Sequence, residues 1–323
     1  MNNGDDSLRI IVLGGHGFVG KNVGKILQST RHDVYSLSRK DGLDLTVYDS
    51  ILGFLNELKP DCIINCAAKV GSLNYVSEQA VEIIDINTRM ILNIYKSLKE
   101  TLPGCLLINP IANCAFPGHL EKFSEDLLWF GPLHQSVLSY GATRRILLAA
   151  DKCYQMQYGL RSINYFVPNM YGPYDSTDPN KAHALNALVN KVVKAKIEGE
   201  ESINVWGSGI AIREWLYAED FGRVIIETFN RDDNYLFSNP INIGQNYGLS
   251  IRSILDIIIE EVGYKGAIHW DRSMPDGAPK KVMEDLRFRK VFPDFEFTDL
   301  KKGVRKTIEY YESLDSNYSQ LIS

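Results

Sequence analysis

The chain of 323 residues is poor in cysteine, methionine and tryptophan, with five, six and four of each, and it has no excess of positive charge. Each scarcity excludes something. Cys62, Cys66, Cys105, Cys114 and Cys153 are odd in number and show no paired metal-ligand spacing, so neither a disulfide framework nor a metal site is expected. With 35 lysines and arginines against 40 aspartates and glutamates, the chain offers no basic field for a nucleic acid. No apolar run approaches the roughly 20 residues that a bilayer crossing needs, and the N-terminus shows no signal-peptide pattern. A soluble protein of the reducing cytoplasm, without a membrane partner, is the expectation. Cys62 and Cys66 fall in an apolar strand and read as buried thiols.

What is present begins at Ile10-Ile11-Val12-Leu13-Gly14-Gly15-His16-Gly17-Phe18-Val19-Gly20, an apolar run that breaks into glycines and continues as an amphipathic segment to Gln28. This reads as strand, tight turn and helix. The glycines permit the turn, let the backbone approach a pyrophosphate and let the helix pack close to the strand, while the helix N-terminus receives the anion. Gly14, Gly15, His16, Gly17, Phe18, Val19 and Gly20 are therefore candidate dinucleotide contacts. A second strand, Asp33 to Leu37, ends in Ser38, Arg39 and Lys40, where such a unit inspects the adenosine ribose. Two cations there suit a 2′-phosphate, which favours NADP and leaves NAD open. Asp44 and Leu45 are placed against the adenine.

Tyr48 to Leu58 has helical spacing and Cys62 to Asn65 that of a third strand, which runs into Cys66, Ala67, Ala68 and Lys69. Small residues at a strand's carboxyl end let a cofactor lie close, so Ala67, Ala68 and Lys69 join the cofactor set, as does Asn87 in the helix Val81 to Lys99. Cys105 to Asn109 reads as the fourth strand, Tyr140 to Tyr158 as a long helix and Ser162 to Val167 as the next strand. Sustained alternation predicts an α/β fold, a doubly wound parallel Rossmann sheet, with a smaller mixed α/β C-terminal lobe for the substrate. The division expected is residues 8–169 plus about 203–245 for the dinucleotide domain, and about 170–202 plus 246–323 for the lobe. Pro168 and Met170 are assigned to the cofactor and Asn169 to the substrate. Later segments read as helices over Ala184 to Lys196, Phe221 to Phe229, Ile251 to Val262 and Leu300 to Leu314, a short strand over Pro240 to Ile243 and a turn over Asp285 to Phe288.

These residues resemble the extended short-chain dehydrogenase/reductase superfamily and, within it, the GDP-L-fucose synthases. The resemblance spans essentially the whole chain and rests on Ala67-Ala68-Lys69-Val70-Gly71, Asn113-Cys114-Ala115-Phe116-Pro117, Tyr171-Gly172-Pro173, Val205-Trp206-Gly207-Ser208-Gly209, Arg213-Glu214 and Pro275-Asp276-Gly277. It implies an NADP-dependent enzyme that reduces a nucleotide-linked 4-keto hexose or heptose at C4, with GDP as the expected nucleotide, and that can epimerise C3 and C5. Tyr140 and Arg144 stand where the superfamily has its catalytic tyrosine and lysine, and both are counted as catalytic and as cofactor contacts. Cys114 and His183 fall on the family's epimerising cysteine and histidine. Without the resemblance, Cys114 reads as a buried thiol and His183 as a helix-surface histidine.

Two positions depart from the family. Arg144 keeps a cation four residues beyond the phenol, on the same helix face, but a forked guanidinium is not a lysine. Ala112 replaces the serine that helps polarise the keto oxygen, with Asn113 beside it as the substitute donor. Arg213, Lys281 and Trp206 are the expected grip on the nucleotide diphosphate and sugar. These departures keep two alternatives open: an epimerase whose bound nicotinamide undergoes no net redox change, and a cofactor-binding sensor without catalysis. The resemblance also implies a homodimer, through Val81 to Lys99 and Tyr140 to Tyr158, although Ile83, Ile86, Met90 and Ile94 could equally face the sheet.

Overall fold

Ile10, Ile11, Val12 and Leu13 are all buried, and their side chains alternate between two separate apolar clusters. That is the behaviour of a strand covered on both faces, as in a parallel sheet between helix layers. The computed structural model describes residues 7–231, 234–274 and 276–322. In it this strand, Arg9–Leu13, lies inside a six-stranded sheet. The spatial order is Ile241–Asn242, Arg161–Val167, Leu106–Ala112, Cys62–Asn65, Arg9–Leu13 and Asp33–Leu37, every neighbour parallel. Chain order reverses between Arg9–Leu13 and Cys62–Asn65, and the crevice beyond their carboxyl ends is where such a sheet takes a ligand.

The glycine-loop helix, Phe18–Gln28, packs with Ala218–Phe229 on one face. Helices Tyr48–Leu58, Ala80–Thr101 and Leu138–Tyr158 cover the other. Ile91 and Ile94 are buried on the sheet side of Ala80–Thr101 and Ile83 is buried too, whereas Val81 and Ile84 stand exposed. The packing thus assigns Ile94, with Met90 beside it, to the sheet-side core.

Between Leu138–Tyr158 and the sheet lies a buried polar cluster. The Asp151 carboxylate accepts bonds from Tyr95 Oη (2.8 Å), Asn164 Nδ2 (2.7 Å) and Gln155 Nε2 (3.0 Å), and from the Ser162 hydroxyl. Asn109 Nδ2 donates to Asn164 Oδ1 at 3.1 Å and to Tyr95 Oη at 3.2 Å, and Asn65 Nδ2 donates to Asn109 Oδ1 at 3.2 Å. Asn65, Asn109 and Asn164 sit on three neighbouring strands, so the cluster crosses the sheet. Buried polar atoms must find partners, and these largely find one another.

The second lobe has its own core, with Leu185, Val189, Val193, Ile203, Val205, Ile254, Ile258, Val304 and Ile308 at its centre. Its boundaries differ from the expected division at two places. Ser202–Trp206 pairs with Ala267–Asp271 and buries Ile203 and Val205 in the lobe. Conversely, the expected turn at Asp285 to Phe288 opens a short helix, Leu286–Val291, whose Phe288 and Val291 join the dinucleotide-side core together with Phe292 and Phe295. Burial of aromatic surface outweighs the weak local turn signal there. The last helix extends to Ile322. The short strands Lys122–Phe123, Ala267–Asp271 and Lys280–Met283 and the helix Leu73–Glu78 are additions to the sequence-based map. Among the described residues, no helix is long and apolar enough to cross a membrane.

Candidate active site

The crevice has a glycine end made of backbone. Gly14 has a left-handed φ of 71°, and a Cβ there would stand 2.8 Å from Ala67 Cα. A Cβ on Gly20 would collide with the carbonyl oxygen of Gly14. Glycine is thus required both by conformation and by close approach. Helix Phe18–Gln28 starts from Gly17 with no side-chain cap and no acid in its first turn, leaving its leading N–H groups for an anion. Gly15 is buried and Val19 half-buried. This cradle fits a dinucleotide pyrophosphate.

At the end of Asp33–Leu37, Arg39 and Lys40 are exposed, and Ser38 Oγ accepts the Lys40 N–H at 3.1 Å. The Asp41 carboxylate accepts from Ser38 N at 2.8 Å and lies 3.1 Å from His16 Nε2, tying the glycine loop to this turn. His16 is therefore paired with a side chain of the protein, and Asp41, not singled out from the sequence, belongs to the site. Asp44 accepts from Thr46 N and Oγ1, bonds that hold its carboxyl below the usual carboxylate range, while Leu45 points into the core. Ala67 is half-buried and Ala68 exposed. Asn87 stands behind the crevice. Its amide is consumed by Lys69 N, Lys69 O and Ile83 O, so it shapes the 66–71 turn and leaves no donor for a cofactor. Pro168 and Met170 are buried, and Asn169 donates to Glu214 O at 3.2 Å.

The far end is made of side chains. Tyr140 and Arg144 share one face of Leu138–Tyr158, with the guanidinium 4.8 Å from the phenol ring centroid. Cys114 sits in the turn Asn113–Ala115 that follows strand Leu106–Ala112. Helix and turn meet at Gly141, where a Cβ would stand 2.6 Å from Cys114 O. Arg145 locks that meeting by donating to Ala115 O, Gly131 O and Leu128 O at 2.8, 3.0 and 2.8 Å. Burial pushes the Cys114 thiol up to about 11, against the opposing pull of Lys281 and Arg144. At neutral pH it is a thiol. Burial likewise raises Tyr140, with Arg144 opposing it, so the phenol keeps its proton. Asn113 is 7% exposed and its Nδ2 has no partner in the protein, which makes it a free donor beside Ala112.

Lys281 reaches this group because strand Lys280–Met283 pairs in parallel with Ile212–Arg213, placing Lys281 opposite Arg213. Burial lowers Lys281, Cys114 raises it and Arg213 lowers it again. The Arg213 guanidinium donates from Nη1 to Ile212 O (2.8 Å) and from Nη2 to Asp276 O (3.2 Å), two of its five N–H groups. Glu214, fully buried, anchors the arrangement by accepting from Met283 N (2.6 Å) and from Gln245 N. Burial raises its carboxyl to about 7, with those N–H bonds opposing. Trp206 is 59% exposed on the lobe, and Pro275 of the Pro-Asp-Gly motif lies outside the described residues. One ring contact, one strand register and the mutual influence of their charges link Tyr140, Arg144, Cys114, Lys281 and Arg213 into one set. His183 belongs to another, with Asp175 and Phe18.

A glycine cradle at the switch point of a doubly wound sheet, with a tyrosine–cation helix beside it and a separate C-terminal core, defines a dinucleotide-binding α/β protein. The chain belongs to the NAD dependent epimerase/dehydratase family, whose model matches residues 10–244. It is 31% identical over 314 residues to the GDP-L-fucose synthase of Sinorhizobium fredii, with 97% of each chain covered. It is 28% identical over 314 residues to the GDP-L-colitose synthase of Yersinia pseudotuberculosis, covering 96% of this chain and 100% of that one. The crystal structure of a GDP-L-fucose synthetase from Naegleria fowleri bound to NADP superposes with a TM-score of 0.80 at 26% identity, covering 98% of this chain and 95% of that one.

Proposed function

We propose that the protein is an NADP-dependent reductase, and an epimerase-reductase, of a GDP-linked 4-keto sugar. The observation that carries this reading is the meeting of helix Leu138–Tyr158, which carries Tyr140 with the Arg144 guanidinium 4.8 Å from its ring, and the Cys114 turn that follows strand Leu106–Ala112, packed together at Gly141. NADPH, when bound, supplies hydride to C4. Tyr140, held as the phenol, gives its proton to the C4 oxygen. Arg144, which stays charged, stabilises the phenolate left behind. Asn113 Nδ2 donates to the same oxygen in place of the missing serine, since Ala112 has no hydroxyl. Gly14 to Gly20 hold the pyrophosphate, Arg39 and Lys40 the 2′-phosphate, and Arg213 with Trp206 the nucleotide end of the substrate.

Epimerisation needs one group to take a proton from the carbon beside the carbonyl and another to return one to the opposite face. Cys114, resting as a thiol, is the group with a proton to give. Retention of Cys114 and His183 favours this two-step chemistry over reduction alone. The protein works in the cytoplasm, where its free thiols persist, as a homodimer. Val81, Ile84 and Leu92 on one helix and Leu138 and Met156 on the other are exposed apolar residues suited to that interface.

Mixing the protein with NADPH and GDP-4-keto-6-deoxymannose tests the reading. One NADPH is consumed per sugar reduced. Deuterium from solvent entering C3 or C5 with no NADPH consumed gives the redox-neutral epimerase instead, and neither outcome leaves a cofactor-binding protein without catalysis.

A further inference from the structure

His183 is not free to choose its tautomer. Its Nδ1 lies 3.1 Å from both carboxylate oxygens of Asp175, and Asp175 Oδ2 also accepts the His183 backbone N–H at 2.8 Å. The Asp175 side chain is 4% exposed and that of His183 35%. An ionised carboxylate only accepts, so the ring nitrogen facing it carries the proton, and Nε2 is left for other partners.

The fold builds this contact from several directions. Tyr174, with a left-handed φ of 71°, swings the chain so that Asp175 turns back under His183. His183 is the N-cap of helix Ala184–Glu198, and the carboxylate therefore sits at the positive end of that helix. Tyr310 and Tyr311 wall Asp175 from the final helix, and the ionisation of each is pushed up, by burial first and with a contribution from the Asp175 charge. The Phe18 ring lies 5.0 Å from the imidazole. Phe18 opens the glycine-loop helix, which puts the pair on the cofactor crevice.

We infer that Asp175 is the positioning residue of His183. It fixes the imidazole proton on Nδ1 and presents Nε2 as the atom that exchanges a proton with the carbon next to the sugar's carbonyl. The tautomer is a property of the pair alone, whereas the exchange rests on the reading of the chain as a 4-keto-sugar enzyme. In that exchange the C–H bond breaks, its proton goes to Nε2 and its electron pair enters the enolate. The Nδ1 proton stays against Asp175, which balances the imidazolium charge. The Cys114 thiol then protonates the enolate carbon on the other face as the carbonyl re-forms, and thiolate and imidazolium return to their resting states by proton exchange with water. This is the division of labour by which a buried aspartate holds a catalytic histidine in hydrolytic triads.

Long-range proton–nitrogen NMR on histidine-labelled protein, with the His183→Asn spectrum marking the resonance, reads the tautomer directly. Neutral His183 is expected to carry its proton on Nδ1. In Asp175→Asn it moves to Nε2, because an amide can turn its own N–H toward Nδ1. A wild-type His183 protonated on Nε2, or a tautomer unchanged in Asp175→Asn, overturns the pair.

The second readout is deuterium entry from solvent into GDP-4-keto-6-deoxymannose. Asp175→Asn is expected to slow it about 100-fold with KM within about threefold, and Asp175→Glu to recover part of the rate. An unchanged rate, or a loss carried wholly by KM, overturns the positioning role. If the wild-type protein admits no deuterium, the functional reading fails while the NMR result still decides the pair.

Discussion

The two ends of the crevice are made of different material. The glycine end offers main-chain N–H groups at an uncapped helix start, on a turn where side chains have no room. The far end is lined by buried and half-buried titratable side chains, Tyr140, Cys114, Lys281, Arg213 and Glu214, each displaced from its ordinary proton affinity first by burial, and the first three also by charged or ionisable neighbours within the group. The difference teaches where each kind of failure should appear. Damage to backbone geometry costs binding and folding together, whereas damage to the side-chain cluster costs chemistry while the cofactor stays bound.

Three substitutions probe that division. Tyr140→Phe removes the proton donor and should lower NADPH oxidation about 1,000-fold, with cofactor affinity measured by fluorescence quenching nearly unchanged. A matching loss of affinity would merge the two ends into one. Gly20→Ala forces a methyl group into the Gly14 carbonyl and should destabilise the fold by about 2–3 kcal/mol, read as a lower denaturant midpoint, with cofactor binding lost alongside. A stable variant that still binds would break the comparison from the other side.

Glu214→Gln is the subtlest. The native carboxyl titrates near 7 against an ordinary 4.5, so from about pH 4.5 upward the folded state keeps a proton that the unfolded chain has released. Stability from this group is complete below that range and is lost as pH rises through about 7. Wild-type stability should therefore fall between pH 5 and 8 by up to about 3 kcal/mol from this source. The glutamine variant, though less stable overall, should lack that slope in pH-dependent denaturant titrations.

The same contrast explains what could be read from the sequence. The glycine turn is local, and the strands Asp33–Leu37 and Cys62–Asn65 and the helices Tyr48–Leu58 and Ile251–Val262 have the expected bounds because periodicity and breakers lie within each segment. Tyr140 and Arg144 are named by the resemblance, and their spacing of four predicts the shared helix face that the structure has. The side-chain end depends on pairings between distant short strands. Lys280–Met283, a strand of only four residues directly after Pro279, has no periodicity to find, yet its register with Ile212–Arg213 sets Lys281 beside Arg213. Asp175 stays hidden for a similar reason: it lies in a turn eight residues before His183, and only the left-handed Tyr174 brings the two together. Asn87 shows the reverse case, a residue of suitable type and place whose hydrogen bonds are already spent.

The polar cluster around Asp151 has a consequence for alignment. Greasy surfaces can slide past one another by fractions of a turn at little cost, whereas hydrogen bonds of fixed direction act as index marks. Asp151 is eleven residues beyond Tyr140 on the same helix, about three turns, and its bonds to Tyr95, Ser162 and Asn164 clamp that helix to its neighbour and to the sheet. The phenol is thus held at its depth in the crevice by a latch about three turns further along its own helix, as a key is held by its shoulder.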